Sequence, residues 1–398
     1  MNYYILILYI LGFCISPAFA LGDDNRNFML IGLMGVAPLF LFYKTQWFPK
    51  VDIACFIVCL SLTLFPLLSH PETMRWSTVC YSYMFFLSFI VIVRLLTWSK
   101  FSLLRYINLL KWLIYAYTLV LVVQQICVIL GLPIFNVSNY DIFEPWKLNS
   151  LSSEPSHTAR FMTILMYSFL WMRKLQDGNK QLSFKYSYKK DKYVWIAYLW
   201  TMLTMMSGTA MLMLCIIFLP YLSKKHIINL SLVIVSLFVV ICYVDFKPMH
   251  RFLSFSEAVL SFDKDKMYLA DSSASFRVIP FVVCAEQIEL NSVDGWCGKG
   301  IDYGANNLYK SLISVEKGYT AGGYALVALE YGFIVFVLIT IFTFSICYNN
   351  QNRVISVLLW LFCCFSLGVN TQIGWSLIIL SYINKYFYNH NKISFSNI

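Results

Sequence analysis

Three stretches of this sequence gather side chains that can do chemistry. The first, Ser152-Ser153-Glu154-Pro155-Ser156-His157-Thr158-Ala159-Arg160, sets a carboxylate, an imidazole and a guanidinium three residues apart. Pro155 suits a first helical turn, where its missing N–H costs nothing. On that helix Glu154, His157 and Arg160 would fan over about 120° of one face. Such a trio can accept a proton and hold an anion; the plainer reading is a helix start with an ion pair at a membrane surface. The second stretch, Ser272-Ser273-Ala274-Ser275-Phe276-Arg277, precedes a mildly apolar run. Arg277 could grip a diphosphate bidentately and never lose its charge, or be a surface arginine among loop hydroxyls. The third is Gly295-Trp296-Cys297-Gly298-Lys299-Gly300-Ile301-Asp302-Tyr303-Gly304. Glycines this dense mark turns where backbone must come close to something. Lys299 offers a cation, while Trp296, Tyr303, Tyr309 and Tyr319 offer flat faces for sugar rings. No phosphate-loop or dinucleotide pattern fits it, and ordinary turn chemistry is the competing account.

Two further sites are less self-explanatory. His250-Arg251 follow an apolar run and could touch lipid headgroups or simply anchor at the interface. Glu330 lies in an otherwise apolar segment, where a carboxyl needs a partner or a proton; Arg277 or Arg160 could be that partner, in a structural or a functional pair. The twelve cysteines have no metal-ligand spacing, so no metal or cofactor is expected and most read as small buried hydrophobes. Cys284 and Cys297 share the one long polar segment and could pair if it faces an oxidising compartment.

The elements that must position these residues are membrane helices. Of 398 residues, 59% are hydrophobic and only 13% charged, with mean hydropathy +0.67. A soluble domain needs about 25% charged residues to wet its surface. A run of about 18 apolar residues spans roughly 30 Å of hydrocarbon as a helix. Apolar runs occupy 3–20, 28–43, 52–68, 81–98, 109–134, 159–172, 227–243 and 324–348. Ala18-Phe19-Ala20 resembles a signal cleavage site, but no Lys or Arg precedes the run, so a retained first helix is expected. Segments 193–222 and 354–386 are each broken by polar residues, at Ser207-Gly208-Thr209 and Asn370-Thr371-Gln372. Each reads as a tight pair of short spans.

Basic residues stay on the cytoplasmic side of a membrane. One set of connections carries Lys44, Lys50, Arg94, Lys100, Arg105, Lys111, Arg173, Lys174 and the cluster Lys180–Lys192, then Lys224, Lys225, Arg353, Lys385 and Lys392. The alternate connections hold only Arg26, Arg75, Lys147 and Arg160. The expected architecture is one all-α, polytopic membrane helix bundle over residues 1–398, with about twelve transmembrane helices. A polar segment, 246–322, is inserted as a large periplasmic loop between helices 9 and 10. Nucleic-acid binding by the basic 173–192 stretch is the weaker account of a cytoplasmic loop, and no nucleic-acid partner is expected.

In this order and location, the features resemble the bacterial O-antigen polymerases (Wzy type) and, more distantly, the O-antigen ligases of the same superfamily. The resemblance rests on the Ser-Glu154-Pro155-Ser-His157 start, the Ser-Gly208-Thr209 break and Arg277 early in the loop. The Gly298-Lys-Gly300 turn and the Tyr324…Glu330-Tyr-Gly332 helix complete it. It covers Ser152 to the C-terminus; earlier spans match only in hydropathy. Where the ligases carry a His upstream of that Glu, this chain has Ala321, which tilts the choice toward the polymerase. The paired Arg-and-Gly loops of some polymerases have no counterpart here. The resemblance implies a glycosyltransferase of the bacterial inner membrane, multi-pass, joining oligosaccharide repeat units carried on undecaprenyl diphosphate at the periplasmic face. Arg277 and Arg160, supported by Arg251, would stabilise the departing diphosphate, and Glu154 or His157 would take the acceptor's proton. Arg160, Arg251, His250, Lys299, Tyr303 and Glu330 complete the expected substrate contacts. Membrane lipid is the other expected partner, and a chain-length regulator is a partner the resemblance leaves open. A ligase, or a flippase or transporter of lipid-linked oligosaccharide, remains the alternative; a channel lacks any filter-like repeat.

Overall fold

The computed structural model describes residues 2–20, 27–41, 50–137, 140, 142–178, 183–205, 207–221, 254–255, 257–261, 263–270, 272–310, 317–318 and 320–396. Among them there is helix and no strand. Three helices are long and apolar enough to cross a membrane: α4 (Lys50–Ser69), α5 (Trp76–Trp98) and α6 (Leu103–Leu130). Beyond Lys50, Arg105 and Lys111 near their starts, the outward faces of α4 and α6 carry no charge. Ile53, Phe56, Leu60 and Leu64 are exposed on one, and Trp112, Leu119, Val123 and Ile126 on the other. A contiguous apolar exterior of this extent suits hydrocarbon, not water.

Ahead of these lie α1 (Asn2–Cys14), α2 (Phe28–Gly35) and α3 (Ala37–Leu41). Two expected spans are therefore shorter than read. The 3–20 run stops being α-helix at Cys14, followed by a tight turn at Ala18–Ala20, and the 28–43 run bends at Val36. The bare carbonyls at the end of α1 would each cost several kcal/mol in an apolar setting. They are satisfied across the bundle: Gln372 Nε2 donates to Gly12 O (2.8 Å) and Ile15 O (2.7 Å). Tyr117 donates its hydroxyl to Cys14 O (2.6 Å) and Ser376 to Phe13 O (2.5 Å).

Next come α7 (Pro155–Gln176), α8 (Phe184–Lys190), α9 (Lys192–Thr204) and α10 (Gly208–Phe218). The break expected at Ser207 separates α9 from α10. α7 is less apolar than its neighbours yet almost entirely buried, because α6, α10 and α18 enclose it. The run 227–243 lies outside the described residues.

Within the polar 246–322 segment are α11 (Lys264–Ala270), α12 (Ser272–Glu286), α13 (Val293–Cys297) and α14 (Tyr303–Asn307). α11, α12 and the residues around α14 share a small core, Met267, Ile279, Val283, Cys284 and Leu308, with Ala325 and Leu329 of α15 (Gly323–Tyr331). Gly332 divides α15 from α16 (Phe333–Cys347), so the 324–348 run is two helices and Glu330 sits beside the break. α17 (Arg353–Trp360) passes through a π turn (Leu361–Phe365) to a bend, and α18 (Gln372–Ser396) follows. The break expected at Asn370-Thr371-Gln372 is thus a helix boundary.

The bundle's centre is aromatic. Trp375 of α18 stacks on Phe85 (5.7 Å) and meets Phe86 edge-on (4.7 Å), both on α5. Such pairs contribute about 0.5–1.5 kcal/mol each beyond burial.

Helix termini fall into two groups. One end holds the Arg94–Asp52 pair (2.8 Å), the Arg173–Asp191 pair (2.6 Å), Arg105 over the Tyr3 ring (4.8 Å) and Lys385 Nζ on Ser345 O (2.7 Å). The other end joins 12–20 to 136, 151 and 372, and 69–78 to 294–302. Residues 322–323 are wedged there against 280–284 and 365–366. The cation-poor connections of the sequence are the ones that gather at this second end.

Candidate functional site

Two polar centres lie at that second end. The first is the start of α7. α6 ends on Gly131, whose φ of +64° lets Leu132 N–H reach back to Cys127 O (2.8 Å). The chain then returns along α6 to α7 through a buried polar network. Gln124 accepts from Ser150 N–H (2.9 Å), and Asn149 Nδ2 donates to Ser152 O (2.7 Å) and Ser153 O (3.2 Å). Thr158 donates its hydroxyl to Asn149 O, and Asn136 Nδ2 donates to Ser150 O. Asn149, Ser150, Ser152 and Thr158 are all buried. A network with every member satisfied fixes one conformation. It sets Glu154 as the residue capping α7, with Pro155 in the first turn as expected.

Glu154 and His157 come together. His157 Nε2 is 3.9 Å from Glu154 Oε2, its Nδ1 is 2.8 Å from Ser153 Oγ, and Ser156 donates its hydroxyl to Glu154 Oε2 (3.1 Å). A hydroxyl on Nδ1 and a carboxylate near Nε2 orient an imidazole for proton transfer. Arg160 departs from the shared face that helical spacing predicts. It is buried, within electrostatic reach of Cys363 on the π turn, because α7 is enclosed by helices at that turn.

The second centre is built by the glycine-rich stretch. Gly298 and Gly332 cross backbone to backbone at φ +93° and +92°, a region that only glycine enters readily. A side chain on Gly298 would strike the Glu330 and Tyr331 backbone, and one on Gly332 that of Trp296 and Cys297. Lys299 N–H then bonds Leu329 O (2.8 Å). The close approach inferred from glycine density is thus to the α15–α16 break and to the α4–α5 connection. There Arg75 Nη1 meets Asp302 Oδ2 at 2.9 Å, and His70 Nε2 lies 3.2 Å from Asp294 Oδ1. Glu72 beside it is held below the usual carboxylate range, first by its own backbone N–H and then by His70.

Between this glycine-rich strap, residues 295–304, and the α4–α5 connection lies a cavity of about 390 Å³, lined by Arg75, Lys299, Asp302, Tyr303, Asn306 and Asn307, among others. Lys299 and Tyr303 are brought together as expected. Arg75 was missed as a site residue, although it is one of few basic residues on the cation-poor connections; that scarcity was the signal. Among the described residues Glu330 pairs with no arginine, and Arg160 is not its partner; the side chain of Arg277, the other candidate, lies outside them. Among the described residues its Oε1 accepts Gly304 N–H (2.9 Å), and no cation pairs with it. The carboxyl caps the start of α14 from below because Gly304 admits it closely.

Arg277 is carried on α12, a helix and not the loop that was expected; its side chain, like His250 and Arg251, lies outside the described residues. Ser275 is buried and donates its hydroxyl to Met267 O (2.6 Å). Cys284 and Cys297 are both free thiols, so the pairing left open by the sequence is not made. Cys284 packs beneath Gly322, where burial and then the nearby Glu330 charge push its thiol up to about 12. Among the described residues no cluster of His, Cys, Asp or Glu has metal-binding geometry.

The chain matches no protein-family model and no curated protein.

Proposed function

We propose that this chain is a multi-pass inner-membrane glycosyltransferase that polymerises oligosaccharide repeat units carried on undecaprenyl diphosphate, as the O-antigen polymerases it resembles do. The reading places about twelve spans in the bilayer and the 246–322 insertion on the periplasmic side. One observation carries it: a cation-lined polar cavity sits where the insertion docks onto the cation-poor end of apolar helices. A polyprenyl tail needs hydrocarbon, whereas its diphosphate and glycan need fixed charge and hydroxyl partners at the rim. The second end supplies both within one surface.

In this scheme the acceptor hydroxyl loses its proton to the Glu154–His157 pair. The leaving diphosphate is met by arginine, with Arg277 as the assigned group and Arg251 and His250 at the headgroup level; Arg160, buried against the π turn, drops out of that role. Neither end of the transfer calls for a metal or cofactor. The test is surface glycan from cells lacking the protein and complemented with Arg277→Ala or Glu154→Ala. Single repeat units displayed without long chains support the scheme. Full-length glycan from both variants rejects the roles. Loss of all surface repeats in the null would instead indicate a flippase.

A further inference from the structure

One cation in the cavity is only loosely held among the described residues. Lys299 has a side chain only 19% exposed, and its nearest carboxylate oxygen, Glu289 Oε1, is 3.8 Å away on a side chain 68% exposed. Its other neighbour is the Tyr303 ring, 5.6 Å from Nζ to centroid. Among the described residues Nζ makes no hydrogen bond. An ammonium carries three donors and is strongly hydrated, so withdrawing it without an acceptor is unfavourable. It lines the cavity, and a ligand there can supply the acceptor.

The opposite wall narrows the ligand. Asp302 is already engaged: it receives Arg75 at 2.9 Å and the Thr78 hydroxyl at 3.3 and 3.4 Å. Arg75, with 58% of its side chain exposed, still has guanidinium N–H groups to offer. Asn306 donates Nδ2 to Asp302 O (3.1 Å), which leaves its amide oxygen as an acceptor. Asn307 is tied at both ends, to Tyr303 O (3.1 Å) and Lys310 Nζ (3.0 Å). With Asp302 offsetting Arg75, the charge left for a ligand is that of Lys299, whose carboxylate partner Glu289 stands off at 3.8 Å and is mostly exposed, beside a mixed array of donors and acceptors and an aromatic ring. A diphosphate would need more free cations than this. A sugar with one carboxylate matches both charge and polarity, and a cavity of about 390 Å³ falls at the small end of ligand sites, roughly 300–1,000 Å³.

We propose that this cavity is a saccharide subsite for an acidic sugar residue of the glycan. The sugar's carboxylate lies between Lys299 and Arg75, and its hydroxyls face Asn306 and the Tyr303 side. The substrate class rests on the polymerase reading; the binding does not require turnover.

The test uses the purified full-length protein in detergent micelles and saturation-transfer NMR with glucuronic acid, glucose and inorganic diphosphate as separate probes. Transfer is expected to glucuronate well above glucose. Lys299→Met should weaken glucuronate binding about tenfold, the loss of one charge-assisted contact. Asn306→Ala should weaken both sugars, and Lys147→Ala, a distant exposed lysine, neither. Thermal unfolding of each variant separates misfolding from lost contact, and a misfolded Lys299→Met is replaced by Lys299→Gln. Equal transfer to glucose and glucuronate, insensitivity to the Lys299 change, or displacement of glucuronate by equimolar diphosphate overturns the proposal. The last result would make the cavity an anion site for the lipid carrier. Binding intact in a protein whose absence leaves glycan length unchanged would sink the polymerase reading alone. Polymerisation intact with no binding would sink the subsite alone.

Discussion

Replacing Gly298 by alanine tests whether the strap is held by a backbone crossing or merely rests on the bundle. Gly298 has φ +93° and ψ 156°, where a residue with a Cβ is strained by about 1–3 kcal/mol. Its Cβ would also meet the Glu330 carbonyl and the Tyr331 backbone, which cannot rotate away as a side-chain tip can. Forcing atoms into such a contact costs about 1–3 kcal/mol more, so the expected destabilisation is about 2–6 kcal/mol. Unfolding entropy near roughly 2.1 cal/mol/K per residue makes each kcal/mol worth about 1 °C of Tm in a chain this long. A drop of about 2–7 °C in cooperative unfolding is therefore expected. Gly131→Ala is the control, since Gly131 also has positive φ (+64°) but nothing within reach of a Cβ. It should lose only the strain, about 1–2 kcal/mol. The assay is thermal unfolding of the two purified variants in the same detergent, with glucuronate transfer as the second readout. If Gly298→Ala unfolds with Gly131→Ala or with the wild type, the crossing is not what holds the strap.

Other consequences can be measured directly. Arg94→Ala leaves the buried Asp52 carboxylate without its guanidinium and should cost about 3–5 kcal/mol; adding Asp52→Ala should recover part of that loss, and a strictly additive double mutant would refute the coupling. Asn149→Ala removes the donor to two carbonyls ahead of α7, for about 1–3 kcal/mol together with reduced glycan length; unchanged stability would show that the network does not fix Glu154. Alkylation without reductant after denaturation should label both Cys284 and Cys297, and failure at both would restore the disulfide. In the native protein at neutral pH, Cys284 should resist maleimide. Its thiol is pushed up to about 12, so the reactive thiolate gathers only as pH climbs toward that value, and rapid labelling at pH 7 would contradict its burial. A tag inserted at Gly300 should be reachable from outside the cytoplasmic membrane, and access from the cytosol alone would remove the glycosyltransferase scheme.

The residues themselves determined that this chain is helical and apolar enough for a membrane. Hydrophobic runs reproduced α4, α5 and α6 closely, and polar breaks at Ser207 and at 370–372 marked real helix boundaries, because local propensity and periodicity act within a few residues. Glycine density in 295–304 correctly signalled close backbone approach, but not to what. Only the tertiary structure decided that the crossing partner is Gly332, that Arg75 joins Lys299 and Tyr303 around a cavity, and that Glu330 caps α14. It also turned Arg160 inward, away from the Glu154–His157 pair, since burial of α7 depends on which helices surround it. Those contacts join residues from 26 to 227 positions apart, and their energies exist only once the helices have packed.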